Sequence, residues 1–244
     1  MHHENLDLTT SLKASLLLFV LIPGLVACAS DGSAPAMAGS RQDATQNGRA
    51  QSPIDLPSHG MAYPNGHSVA LHYGSTAEHI IHRDHTLELK YDAGSSLEYD
   101  GRSFALEQVH FHTPSEHLVA GQRYPVELHL VHHDAEDRVL VVGILFQTGA
   151  KSEFLEEILQ NAPEEIGRID RDQTMSVKDL FPDESHFYAY EGSFTTPPYT
   201  EGVQWLVLKS HPQVSAEQVV ELLVLEGGNA REIQRRHRRA VEDF

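Results

Sequence analysis

Gln108-Val109-His110-Phe111-His112 and, further along, Glu127-Leu128-His129-Leu130-Val131 decide how this chain folds. A strand sends alternate side chains to opposite faces, so the first stretch puts Gln108, His110 and His112 on one face and Val109 and Phe111 on the other. The second groups Glu127, His129 and Val131 in the same way. With Gly121 in a polar turn between them, the two strands are expected to pair antiparallel and to bring three imidazoles together. Three neutral histidines suit zinc better than calcium or magnesium. Three protein ligands also leave the fourth tetrahedral position for water, the arrangement of a catalytic rather than a structural zinc site. A lone His-x-His would read as ordinary histidines on a sheet. The addition of His129, with Gln108 and Glu127 placed to accept each second ring proton, argues for a ligand set.

The same strand pattern extends outward. From Gln51 onward, short apolar runs such as SVALHYG, HTLELKYD, SSLEYDG and RVLVVGILFQ are separated by Gly, Pro, Asn and Asp, which predicts strands in series. Asp100-Gly101 between SSLEY and RSFAL marks a tight hairpin. Helices are few. Residues 152–160 collect Phe154, Leu155, Ile158 and Leu159 on one face, and Ser215 with Gln218 forms a capping-box pattern ahead of Val219, Leu222 and Leu223. The expected class is mainly β with peripheral helices (α+β), in one domain over 51–244.

Eighteen Lys plus Arg against 35 Asp plus Glu give a net charge of −17, which opposes binding to nucleic acid and to anionic bilayers. Ser15 to Ala27, SLLLFVLIPGLVA, is an apolar run of signal-peptide length, too short for a permanent membrane span. It ends in Leu25-Val26-Ala27-Cys28, which resembles the bacterial lipoprotein cleavage box, where the cysteine becomes the lipidated first residue of the mature chain. Residues 1–27 are therefore expected to form a lipoprotein-type signal peptide. Residues 28–50, small and polar, would form a flexible tether. The protein would be exported and periplasmic, anchored as a lipoprotein through Cys28 and touching the membrane in no other way. Cys28 is the only cysteine, so no internal disulfide holds the fold.

QVHFHTPSEH at 108–117, YPVELHLVH at 124–132 and EGSFTTPPYTEGVQWLVLK at 191–209 resemble, in order and spacing, the signature stretches of the alpha-class carbonic anhydrases. Gln51-Ser52-Pro53-Ile54-Asp55 resembles that family's early motif, so the resemblance covers roughly Gln51 to Gln234. It implies a large twisted, mostly antiparallel central sheet with zinc at the base of a conical cleft. It also implies a zinc lyase, carbonic anhydrase, that hydrates carbon dioxide reversibly to bicarbonate and a proton by attack of zinc-bound hydroxide. His110, His112 and His129 would be the ligands, backed by Gln108 and Glu127. Thr195 would aim the hydroxide, and Glu116, a carboxylate that can only accept, would orient Thr195. Val131, Val141, Phe194, Thr196, Val203 and Trp205 match the carbon dioxide pocket, and His117, His132, Tyr190 and Ser193 match supporting positions. His85, with the family's 25-residue spacing to His110 and expected to open the HTLELKYD strand, would shuttle the proton; His67, in Asn65-Gly66-His67, lies too far away. Sulfonamide and anion inhibitors are expected partners, and the protein would be a monomer or dimer.

Several positions depart from the family. Phe194 stands where leucine is common, which narrows the pocket. Arg83 and Asp84 precede His85 in place of asparagine and glycine, and Glu88 replaces a common amide. Near the C-terminus Glu232 and Arg235 stand for prolines, so this segment is expected to be free to continue as helix. His237 aligns with a residue whose backbone carbonyl orients a ligand, here His112. These departures keep two other readings open: a zinc-binding surface module of weak activity, and a zinc buffer built on the remaining histidines.

Overall fold

The computed structural model describes residues 48–62 and 66–244, so the expected signal peptide, Cys28 and the tether up to residue 47 lie outside the described residues. The main strands are β1 (Thr76–Arg83), β2 (Thr86–Lys90), β3 (Arg102–His112), β4 (Val126–His133), β5 (Val139–Thr148), β6 (Gly167–Met175), β7 (Phe187–Ser193) and β8 (Glu201–Leu208). They lie in the order β6-β1-β2-β3-β4-β5-β8-β7 within a 13-stranded sheet. Pairing is antiparallel from β6 through β5, and β5 runs parallel to β8. The sheet is thus mixed, with antiparallel pairs in the majority.

The register meets the expectation from strand alternation. His129 lies directly opposite His110, and Glu127 opposite His112. β4 and most of β5 are buried on both faces, which is why they read as nearly continuous apolar runs. One face packs Val109, Phe111, Leu128 and Leu130 into the larger core cluster, together with Leu155 and Ile158 of a helix. The opposite face packs Val131, Val141 and Trp205 with Ile54 and Tyr190. The histidines belong to this second face.

Among the described residues there are two α-helices. α1 (Glu153–Asn161) is capped by Ser152, whose hydroxyl accepts from the Leu155 N–H. α2 (Ala216–Glu226) carries the expected capping box between Ser215 and Gln218. The hairpin turn at Asp100-Gly101 has φ of 49° and 75°, the left-handed pair a two-residue turn requires.

Two expectations need correction. The segment after α2 does not continue as helix: Gly227 and Gly228 adopt φ of 72° and 75°, and residues 227–236 are irregular. The missing prolines matter less than these two glycines, which end the helix in a left-handed cap. His85 does not open a strand either. It forms, with Asp84, the turn between β1 and β2, and the strand begins at Thr86.

Candidate metal centre

The β3 and β4 strands bring the His110, His112 and His129 rings to centroid separations of 5.1, 5.2 and 4.5 Å. One ring nitrogen from each lies within 4.8 Å of the others, a spacing that can hold a metal ion. The tautomers follow from the surrounding acceptors. Gln108 Oε1 lies 2.8 Å from His110 Nδ1, so that nitrogen donates and Nε2 is left with its lone pair. Glu127 Oε1 lies 3.0 Å from His129 Nε2, so here Nδ1 is left. His112 is buried and neither of its ring nitrogens closes a hydrogen bond to protein. A buried, unsatisfied imidazole between two others with inward lone pairs is the donor set a zinc ion would satisfy.

Burial also keeps the rings neutral, as ligands must be. It drives His110 well below the usual imidazole range and His112 down to about 4, the latter against the opposing pull of Glu127 and Asn229. His129 is lowered by burial and by His112. A second group with metal spacing, His117, Glu127 and His129, shares His129 with the first. Its Glu127 Oε1 is already engaged by His117 Nδ1 at 2.6 Å and by His129 Nε2, so it is a hydrogen-bond network rather than another ion site.

That network extends away from the ligands. Glu127 Oε2 accepts the backbone N–H groups of Glu116 and His117, each at 2.8 Å. His117 Nε2 meets Tyr190 Oη at 2.6 Å, and Tyr190 Oη meets Ser52 Oγ at 2.8 Å. Burial alone would push the Glu127 carboxyl up. The His117 and His129 rings outweigh it and hold the group well below the carboxylate range.

Glu116 is also fully buried, and its Oε1 accepts the Arg231 backbone N–H at 2.8 Å. Burial raises its pKa, while His129 and the adjacent Thr195 hydroxyl pull it down. Thr195 is buried too and lines the cavity above the histidines. This cavity, about 250 Å³, is lined by the three histidines, Gln108, Val131, Val141, Phe194, Thr195, Thr196 and Trp205. Val203 is not on the lining; it is buried in the core cluster with Ile54, Tyr190 and Trp205.

Other residues fall where the sequence did not put them. Arg83, Thr86 and Glu88 complete the cavity wall, whereas His85 is absent from it. The His85 side chain is 70% exposed, with Nε2 3.4 Å from Asp84 and Nδ1 3.3 Å from the Glu226 carbonyl oxygen. The residue that acts on the His112 ring from this segment is Asn229, not His237, which is exposed. Asn229 Oδ1 accepts the Thr113 N–H at 3.0 Å, and Asn229 Nδ2 donates to the carbonyls of Phe111 and His85. The signal that could have found it was the Gly227-Gly228 pair, which ends the helix and returns the chain to the sheet.

The model of the eukaryotic-type carbonic anhydrase family matches residues 38–243. A carbonic anhydrase of Pectobacterium atrosepticum is 33% identical over 191 residues, covering 78% of each chain. One from Nostoc is 36% identical over 194 residues, covering 78% of this chain and 74% of the relative. Among solved structures, the alpha-carbonic anhydrase of Thermovibrio ammonificans in complex with sulfanilamide superposes with a TM-score of 0.76 at 34% identity, over 80% of this chain and 87% of that one. Dioscorin complexed with ascorbate superposes with a TM-score of 0.75 at 29% identity, over 81% and 86%. A fold shared with a protein of another name leaves the activity to be argued from the site.

Proposed function

The chain belongs to the eukaryotic-type, or alpha-class, carbonic anhydrases, and from this we propose that it hydrates carbon dioxide reversibly to bicarbonate and a proton at a zinc ion held by His110, His112 and His129. The observation that carries the reading is the convergence of three neutral imidazoles on a cavity whose far wall is hydrocarbon. When bound, zinc lowers the pKa of a water in its coordination sphere to about 7, a figure for which carbonic anhydrases are themselves the reference case, and so supplies hydroxide at neutral pH.

The residues of this chain do the rest. Gln108 and Glu127 hold the protons of His110 Nδ1 and His129 Nε2 and thereby aim the opposite nitrogens inward. Glu116 has one oxygen filled by the Arg231 N–H. Its other oxygen, Oε2, is buried without a hydrogen bond of its own and would accept the proton of the adjacent Thr195 hydroxyl, leaving the Thr195 oxygen to accept from a nucleophile in the cavity and fix its direction. Val131, Val141, Phe194 and Trp205 offer carbon dioxide an apolar wall without competing donors. The Phe194 ring narrows that wall and disfavours bulky esters.

His85 is the proposed proton relay, as an imidazole at the rim of the cavity wall. Sulfonamides are proposed inhibitors, supported by the sulfanilamide complex of the Thermovibrio relative. Export and lipidation at Cys28 remain part of the proposal, supported by the Leu25-Val26-Ala27-Cys28 box.

Stopped-flow carbon dioxide hydration with and without a sulfonamide, alongside a zinc count, tests the reading. One zinc per chain and sulfonamide-sensitive hydration are expected. Hydration that survives removal of zinc would overturn it.

A further inference from the structure

The cavity wall formed by β1 and β2 carries two charges that the chemistry above does not use. Arg83 and Glu88 face each other across the Asp84-His85 turn, with Nε donating to Oε2 at 3.1 Å and Nη2 to Oε1 at 3.3 Å. Among the described residues they are the only Lys, Arg, Asp or Glu side chains on the lining. The Arg83 side chain is 56% exposed and that of Glu88 is 11% exposed, so the cation lies outermost. Lys90 Nζ stands 3.9 Å from the same carboxylate but off the lining, and Asp84 adds a second carboxylate in the turn, so among the described residues Arg83 is the one lysine or arginine on this wall of a chain whose net charge is −17.

We propose that Arg83 is a specificity-determining residue that receives bicarbonate and similar planar oxyanions at the cavity mouth, with Glu88 holding its guanidinium in place. The identity of the anion rests on the carbonic anhydrase reading. A guanidinium has five N–H donors in a planar fork, and Glu88 takes two of them along the Nε–Nη2 edge. The Nη1–Nη2 edge keeps the spacing that matches two oxygens of a carboxylate or bicarbonate. Anchoring by Glu88 removes much of the rotamer freedom an unpaired arginine would lose on binding an anion. Carbon dioxide is neutral and gains nothing from such a group. An anion entering or leaving a strongly acidic protein does, because the local cation offsets the repulsion of the rest of the surface.

The test compares wild type with Arg83→Gln, Arg83→Lys and, as a control for net charge, Lys178→Gln, which lies on the lining of a separate cavity beside Tyr73 and Phe181. Inhibition constants for bicarbonate and nitrate in carbon dioxide hydration should rise about three- to tenfold in Arg83→Gln, the effect of one charge at close range in a partly screened site. Arg83→Lys should recover part of that loss, and Lys178→Gln should stay within about twofold of wild type. An Arg83→Gln value equal to wild type, or a Lys178→Gln effect as large as that of Arg83→Gln, would overturn the assignment. Bicarbonate titration followed by the ¹⁵N resonance of Arg83 Nε in the zinc-loaded protein gives a second readout that needs no turnover. If the resonance moves in a protein that hydrates no carbon dioxide, the functional reading fails and the anion site stands. If hydration is present and the resonance is still, the anion site fails alone.

Discussion

Two fully buried carboxyl groups, Glu127 beneath the histidines and Glu226 at the end of α2, behave in opposite ways. Glu127 is met by four N–H donors, two from the backbone and two from imidazoles, and stays ionised despite its burial. Glu226 receives one backbone N–H, from Leu87 at 2.9 Å, and a long contact from Thr113 Oγ1 at 3.5 Å. Burial pushes it up to about 8. Depth in the protein therefore does not decide charge here; the imidazoles beside the carboxylate, and the hydrogen bonds they add to those of the backbone, do. The strand-built centre holds a fixed negative charge against His129. The irregular strap from 226 to 231, which presents Asn229 to His112 and Arg231 to Glu116, begins on an acid that can take up a proton.

The largest effect should come from breaking the centre. In Glu127→Gln the side chain loses its charge and part of its acceptor capacity while the His117 and His129 rings remain buried around it. Removing one partner from such a buried network costs about 3–5 kcal/mol. Loss of the group behind a ligand weakens metal binding about 10- to 100-fold. Urea unfolding and a zinc competition titration measure the two quantities. A variant with wild-type stability and zinc affinity would mean that the four donors are not what distinguishes the two acids.

Next in size is the pair that aims the nucleophile. Thr195→Ala removes the hydroxyl beside Glu116 without touching a ligand, so zinc content should be retained while kcat/KM for carbon dioxide hydration falls about 100-fold, the usual cost of one preorganised donor or acceptor. Zinc analysis run beside stopped-flow assays separates the two. A parallel loss of zinc would shift Thr195 from orientation to support of the metal.

The strand-built half was legible in the sequence because alternation carries its own geometry. Knowing that Gln108, His110 and His112 share a face, and that a hairpin follows, is enough to put His129 opposite His110. The strap has no period to read. Asn229 reaches the carbonyl of Phe111, and Arg231 the carboxylate of Glu116, across more than a hundred residues of chain, through contacts fixed only by packing. That is why the supporting backbone was expected at His237, and why residues 229–237 were left free to form helix although the two left-handed glycines just before them end α2. Arg83 and Glu88 stand out in the sequence as departures from the family, but their mutual pairing depends on the tight turn at Asp84-His85, and the apolar run beginning at His85 reads as strand from its first residue.

The strap offers the third prediction, one of pH. Glu226 titrates near 8 when folded and near 4.5 when exposed, so the native protein binds the extra proton between those values. Stability from this group is full below about 4.5 and is lost as pH rises through about 8. Glu226→Gln should therefore match wild type near pH 4.5 and exceed it by on the order of 2 to 4 kcal/mol at pH 9. Thermal melts at the two pH values measure the difference. A gap that is the same at both would show that Glu226 is ionised throughout and that the two acids are alike.

The smallest effect should come from His85, which sits where strap and hairpin meet. Its ring is mostly exposed, touches the Glu226 carbonyl and does not line the cavity. Proton transfer through it must therefore pass by intervening water, and buffer at an open mouth can compete with it. His85→Ala should lower carbon dioxide hydration only about two- to fivefold in weak buffer, far less than a general acid or base that contacts the reacting group. Added imidazole should restore the rate, because an imidazole titrating near neutrality can carry the proton in either direction. An equal loss in weak and strong buffer would point instead to the turn itself, since displacing Asp84-His85 also displaces Arg83, Glu88 and the carbonyl that Asn229 holds.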